Sequence, residues 1–121
     1  MDPVVQKRSV MDIPIFHKAY DLYKLLHRYQ CRIPKGQRYT LWLKCENTAI
    51  LLIETVLQIG YARDEERLRL LYVLSSQVDL LKVFIRLSQE TKIIDLKQYQ
   101  EIQTILQEIG RMVGGWIKSS I

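Results

Sequence analysis

Residues 95–120 read DLKQYQEIQTILQEIGRMVGGWIKSS, and the kind of protein this is turns on how they are read. Tyr99, Ile102, Leu106, Ile109, Val113 and Trp116 recur at alternating spacings of three and four, the repeat of an apolar helical seam. Asp95 with Gln98 three residues on is a capping-box pattern, which predicts a helix opening at this point. The same stretch holds Gly110, Gly114 and Gly115, each costing about 1 kcal/mol relative to Ala in a helix interior. Either Gly114-Gly115 ends the helix early, or the G-x-x-x-G face of Gly110 and Gly114 lets another backbone approach closely. Trp116 is in phase with the seam and favours continuation, so Gly110, Gly114 and Trp116 are expected to act in helix packing, with Val113 and Trp116 filling the core.

Outward from this segment the chain is punctuated by few glycines and prolines, and everything between them reads helical. Asp64 is a predicted cap for a helix running to about residue 89, with Glu65 and Glu66 complementing the positive end of its dipole. Gly60 is the predicted C′ residue of a helix over about 38–59. Pro34 and Gly36 break that helix from a first one over about 14–32, for which Asp12 and Pro14 offer a start. Residues 1–11 lack periodicity and read as a flexible N-terminal tail, leaving 12–119 as one domain. Four helices of roughly 20 residues joined by short connections predict an all-α, antiparallel up-down-up-down four-helix bundle.

A bundle on its own needs one apolar stripe per helix, and two of these helices have more. In the second, Leu41, Cys45, Leu52, Val56 and Ile59 make one face while Trp42, Ile50, Ile53 and Leu57 lie off it. In the third, Leu71, Val78, Leu81 and Ile85 form one stripe and Leu70, Val73, Leu80, Phe84 and Leu87 a second. A stripe of that length left in water is an apolar patch of several hundred Å², which predicts a homo-oligomer. The alternative is that broad stripes fill a thick core.

The composition, 48% hydrophobic and 26% charged, is that of an ordinary globular domain rather than a disordered or membrane-embedded chain. No export signal or membrane span is evident, and two cysteines are too few to staple a domain of this size, so a cytoplasmic protein with free thiols is expected. His17 and His27 are ten residues apart, and no His or Cys pair has the spacing of a helical metal site. The glycines of 110–115 follow no strand and match no phosphate-binding loop. Neither an enzyme, nor a cofactor, nor a metal is expected.

Charge is the better lead. The formal net charge is +5, and it is concentrated: between residues 18 and 44 seven cations face a single anion, Asp21. Lys24, Arg28, Arg32, Lys35, Arg38 and Lys44 follow one another along this stretch, a ridge able to contact successive phosphates without reading bases. A solvated face that only keeps the protein soluble is the plain alternative. Lys82 and Arg86 sit four apart among apolar residues, with only Asp79 expected close enough in sequence to pair locally, and Arg111 lies between Gly110 and Met112. Cations so placed either snorkel from a packed face or point at a partner.

Three stretches, IPKGQRYTL, LRLLYVLSSQVDLLKVFIRLSQETKIIDLKQYQ and EIGRMVGGWIKSS, closely resemble the accessory variability determinant (Avd) proteins of diversity-generating retroelements. The resemblance runs from about Ile15 to Ser119, and the terminal G-R-x-x-G-G-W-I segment is its most specific part. It implies a four-helix protomer assembled into a homopentameric barrel. It also implies binding of a reverse transcriptase and of nucleic acid, template RNA or cDNA, in support of mutagenic retrohoming. Of the cations, Lys35, Arg38, Lys82, Arg86 and Arg111 fall within the matching motifs. Trp42 stands where many relatives have a small residue, and Lys44-Cys45 where they have Arg-Ile, so contacts at the start of the second helix are expected to differ. A related bundle family, encoded in intervening sequences of 23S ribosomal RNA genes, shares the architecture without the Gly-Arg ending and is the alternative reading, with a structural or RNA-associated role.

Overall fold

The computed structural model describes residues 13–121 and is all-helical, with α1 Pro14–Gln30, the single-turn α2 Lys35–Arg38, α3 Leu41–Tyr61, α4 Asp64–Glu90 and α5 Leu96–Ser120. The tail predicted at 1–11 and the cap predicted at Asp12 lie outside the described residues. Each of the four long helices packs against two others, α1 on α3 and α5, and α4 on α3 and α5. One core joins all four. Leu22 and Leu26 of α1, Leu52 and Ile59 of α3, Leu71, Leu74, Leu81 and Ile85 of α4, and Ile102, Leu106 and Ile109 of α5 are fully buried in it.

Local chemistry explains three of the helix ends. Pro14 occupies the first turn of α1, where its missing N–H costs nothing. Asp95 and Gln98 form the predicted capping box: the Gln98 N–H donates to the Asp95 carboxylate at 2.8 Å, and the Asp95 N–H donates to the Gln98 side chain at 2.9 Å. α4 closes in a Schellman turn, in which the Lys92 N–H donates to Gln89 O at 3.0 Å and the Ile93 N–H to Ser88 O at 2.8 Å.

Two predicted ends are corrected. Gly60 does not close α3, which continues to Tyr61 and stops where Ala62 turns extended. Asp64 makes no cap: no side chain caps α4, Arg63 is the flanking residue, and Asp64 itself has φ of 53°. The acids Asp64, Glu65 and Glu66 still crowd the first turn, where the dipole favours them.

Trp42 is also reassigned. Expected off the core face, it is 0% exposed, and its indole N–H donates to Leu26 O of α1 at 3.2 Å. Trp42 opens a seam it shares with Cys45, Ala49, Leu52, Val56 and Ile59, all buried at alternating spacings of three and four, and the Leu26 carbonyl satisfies its one polar atom. Three of the other eight off-face residues behave as the pattern predicts: Ile50 on α3 and Leu80 and Leu87 on α4 are exposed, joined by Leu43, Leu51 and Val83. Leu70, by contrast, is buried, and Ile53, Leu57, Val73 and Phe84 are half-buried.

α5 runs unbroken through all three glycines. The predicted early stop does not occur, but neither does a close helix contact within the chain. A Cβ at Gly114 or Gly115 would meet nothing within 4 Å. At Gly110 it would meet the Lys82 side chain, Nζ at 3.3 Å, rather than another backbone. Val113 is buried as predicted; Trp116 is only half-buried, with the Arg67 guanidinium 5.3 Å from its ring centre.

Candidate nucleic-acid and protein interface

The predicted basic residues fall in two places. The first is the end of the bundle where α1 finishes, α2 turns and α3 starts. The i, i+4 spacing puts Lys24 and Arg28 on one exposed face of α1, and Arg32 follows in the turn beyond its last residue. Lys24 reaches Asp21 at 3.7 Å and lies 5.1 Å from the centre of the Tyr20 ring, an exposed pairing that holds it loosely. Arg32 sits 5.7 Å from the centre of the Tyr29 ring. Lys35 on α2 and Lys44 on α3 extend the exposed series.

Arg38 has another task. Its Nε donates to Ile33 O at 2.8 Å and one terminal nitrogen to Cys31 O at 3.4 Å, so it clamps the backbone that follows α1. These carbonyls would otherwise be left open by the break at Pro34. Nothing in the charge pattern alone distinguishes this arginine from its neighbours.

Beneath this end the α1 surface is held from inside. Tyr29 is buried, and its hydroxyl donates to Glu101 of α5. Burial first, then the Glu101 carboxylate, push the phenol up to about 12, against the opposing pull of Arg32 and Arg28. Gln30 donates from its side-chain nitrogen to Glu46 Oε1 at 3.2 Å, while Glu46 Oε2 has no partner among the described residues. Glu46 is 4% exposed, and burial raises its carboxyl above the usual range, although His27 and the Gln30 bond act in the other direction.

The second place is a groove of about 360 Å³ between α4 and α5. Lys82 and Arg111 both line it, with Asp79 and Gln107, and Gly110 forms part of its floor. Residues 29 apart in sequence are thereby brought together. The absence of a side chain at Gly110 leaves the Lys82 ammonium its space, since an added Cβ would press on it at 3.3 Å. No ion pair engages Lys82 or Arg111 among the described residues. Arg86, one turn along α4, lies outside the groove and is paired with Glu90 at 3.2 Å, so Asp79 is not the only acid able to pair locally: an i, i+4 partner lies on the other side.

No cluster of three or more His, Cys, Asp or Glu side chains suited to a metal ion occurs among the described residues, and no helix there is long and apolar enough to cross a membrane. A family profile described as bAvd-like matches residues 13–120. No curated protein and no solved structure matches the chain.

Proposed function

Because the chain belongs to the bAvd-like family, we propose that it is a non-enzymatic accessory protein of a diversity-generating retroelement, acting in the cytoplasm. On this reading it binds the reverse transcriptase and nucleic acid, template RNA or cDNA, through its basic surface, and supports mutagenic retrohoming. The observation that carries the reading is the family match over 13–120, which encloses every stretch bearing the Avd resemblance. Lysines and arginines act as phosphate clamps, so affinity comes from counterion release rather than from base contacts. The groove cations Lys82 and Arg111, with Arg86 beside them, are the positions assigned to the protein partner.

The finer architecture belongs to the same proposal: four long helices in up-down-up-down order, five copies forming a barrel. Early α3 meets late α1 through Trp42 and Leu26, and late α4 through Cys45 and Ser88, 3.7 Å apart, which supports antiparallel neighbours. Leu80, Val83 and Leu87, 46%, 59% and 43% exposed on α4, supply an apolar strip for contact between copies.

The test is capture of the reverse transcriptase by the Lys82→Glu/Arg86→Glu double variant, with oligomer size measured by light scattering in parallel. Lost capture from an oligomer of unchanged size is the expected outcome. Unchanged capture would leave a scaffold whose charges serve solubility alone.

A further inference from the structure

The fold brings a cation absent from the basic ridge, Lys92, beside Arg32 of that ridge. The turn between α4 and α5 lies beside the end of α1, and between them opens a polar cavity of about 470 Å³. Arg32 contributes from one side and Lys92 from the other, and the side-chain amides Gln89 and Gln98 also line it. The volume falls within the roughly 300–1,000 Å³ of small-ligand sites. Neither cation is in an ion pair among the described residues. The one carboxylate present, Asp95, already accepts from the Gln98 N–H in the cap of α5.

Lys92 is an unusual residue for its position. It is the C′ residue of the Schellman turn, with φ of 66°, the left-handed region where Gly is the common choice because a Cβ is unfavourable there. The left-handed conformation costs an L-residue about 1–2 kcal/mol. A lysine placed at this cost, lining one cavity with Arg32, is better accounted for by its ammonium than by its backbone. Arg32 is steadied by the Tyr29 ring, itself anchored to Glu101.

We infer that this cavity binds a phosphate group of a nucleic-acid strand between Arg32 and Lys92. The inference rests on the proposed nucleic-acid role and adds a site to it. The phosphate comes either from a strand end or from an internal phosphodiester, and the chemistry of recognition is the same: two cations with amide donors alongside.

The test uses the full chain and a 3′-labelled single-stranded RNA, with and without a 5′-phosphate, followed by fluorescence anisotropy across salt. Lys92→Gly and Arg32→Gln are each expected to weaken binding about fivefold and to lower the salt slope by about one. Lys92→Arg restores both. Lys92→Gly is also expected to melt at or above the wild-type temperature, because glycine suits the turn, which separates lost binding from lost fold. Weaker wild-type binding on removal of the 5′-phosphate assigns the site to a strand end; unchanged binding assigns it to an internal phosphodiester. If the wild type binds RNA with steep salt dependence while Lys92→Gly binds equally well with the same slope, this site is wrong and the broader reading survives. If the wild type shows no salt-dependent binding at all, the nucleic-acid role itself fails.

Discussion

The two cationic regions of this protein are built differently. At the α1–α3 end, Arg28, Arg32, Lys35 and Lys44 are exposed, spread over two long helices and a turn, and need only lie on one side of the bundle. In the α4–α5 groove, Lys82 is half-buried, Arg111 comes from the facing helix, and the space between them depends on Gly110 having no side chain. Spread charges bind a polyanion additively and are screened by salt. A shaped groove depends instead on geometry, so a neutral change of shape should damage it.

That contrast can be broken most sharply at Gly110. Gly110→Leu adds no charge but fills the groove and displaces the Lys82 ammonium; reverse-transcriptase capture is expected to fall about tenfold or more, the scale of losing one well-placed charged contact. The fold should hold, since leucine recovers up to about 1 kcal/mol of helix propensity. Thermal unfolding and pull-down of the same preparation check both. RNA affinity, measured alongside, should change little.

A smaller effect is expected at the spread end. Lys35→Gln and Lys44→Gln should each weaken RNA binding about fivefold, add when combined because the sites share no partner, and reduce the salt slope by about one apiece. Reverse-transcriptase capture by these variants should stay near wild type. Capture lost here and retained in Gly110→Leu would reverse the assignment of the two regions.

The smallest effect concerns the acid beneath the basic end. Burial raises the folded-state carboxyl of Glu46 above its unfolded value, so its contribution to stability is present below the unfolded value of about 4.3 and is lost as pH rises through the raised one. Glu46→Gln keeps an acceptor for Gln30 and removes the buried charge. It should stabilise the protein at neutral pH by about 1 kcal/mol and flatten the dependence of melting temperature on pH between the unfolded and the raised carboxyl values. An unchanged pH profile would mean that Glu46 is not desolvated in solution.

The helices were legible because their apolar periodicity reflects a core shared by all four, and the capping box at Asp95 because its chemistry is local. What escaped depended on which backbone carbonyls the fold brings within reach of a side chain. Trp42 is core because Leu26 O lies within reach of its indole, and Arg38 is a clamp because Ile33 and Cys31 present carbonyls to it. The arginine has no signal in spacing, whereas Trp42 does: with Cys45, Ala49, Leu52, Val56 and Ile59 it recurs at alternating threes and fours, a seam hidden by starting the face at Leu41. The end of α3 failed for another reason: glycine after an apolar run permits a stop without compelling one, and α3 goes on to Tyr61.

The candidate site divides in the same way. The ridge from Lys24 to Lys44 was visible as a run of charge, and Lys82 and Arg111 as cations out of place among apolar residues. Their meeting across a groove, and the company Lys92 keeps with Arg32, needed the fold. The glycines of 110–115 do not admit a helix of the same chain; Gly110 accommodates Lys82, and Gly114 faces open space.

The most direct test of the central claim is RNA affinity of the unmodified chain between about 50 and 200 mM salt. The four exposed cations of the α1–α3 end that are in no ion pair among the described residues, Arg28, Arg32, Lys35 and Lys44, each releasing counterions from a single strand, predict a log–log slope of about −3. Affinity that does not change across that range would contradict the account, leaving the basic end as a solvated surface and nothing more.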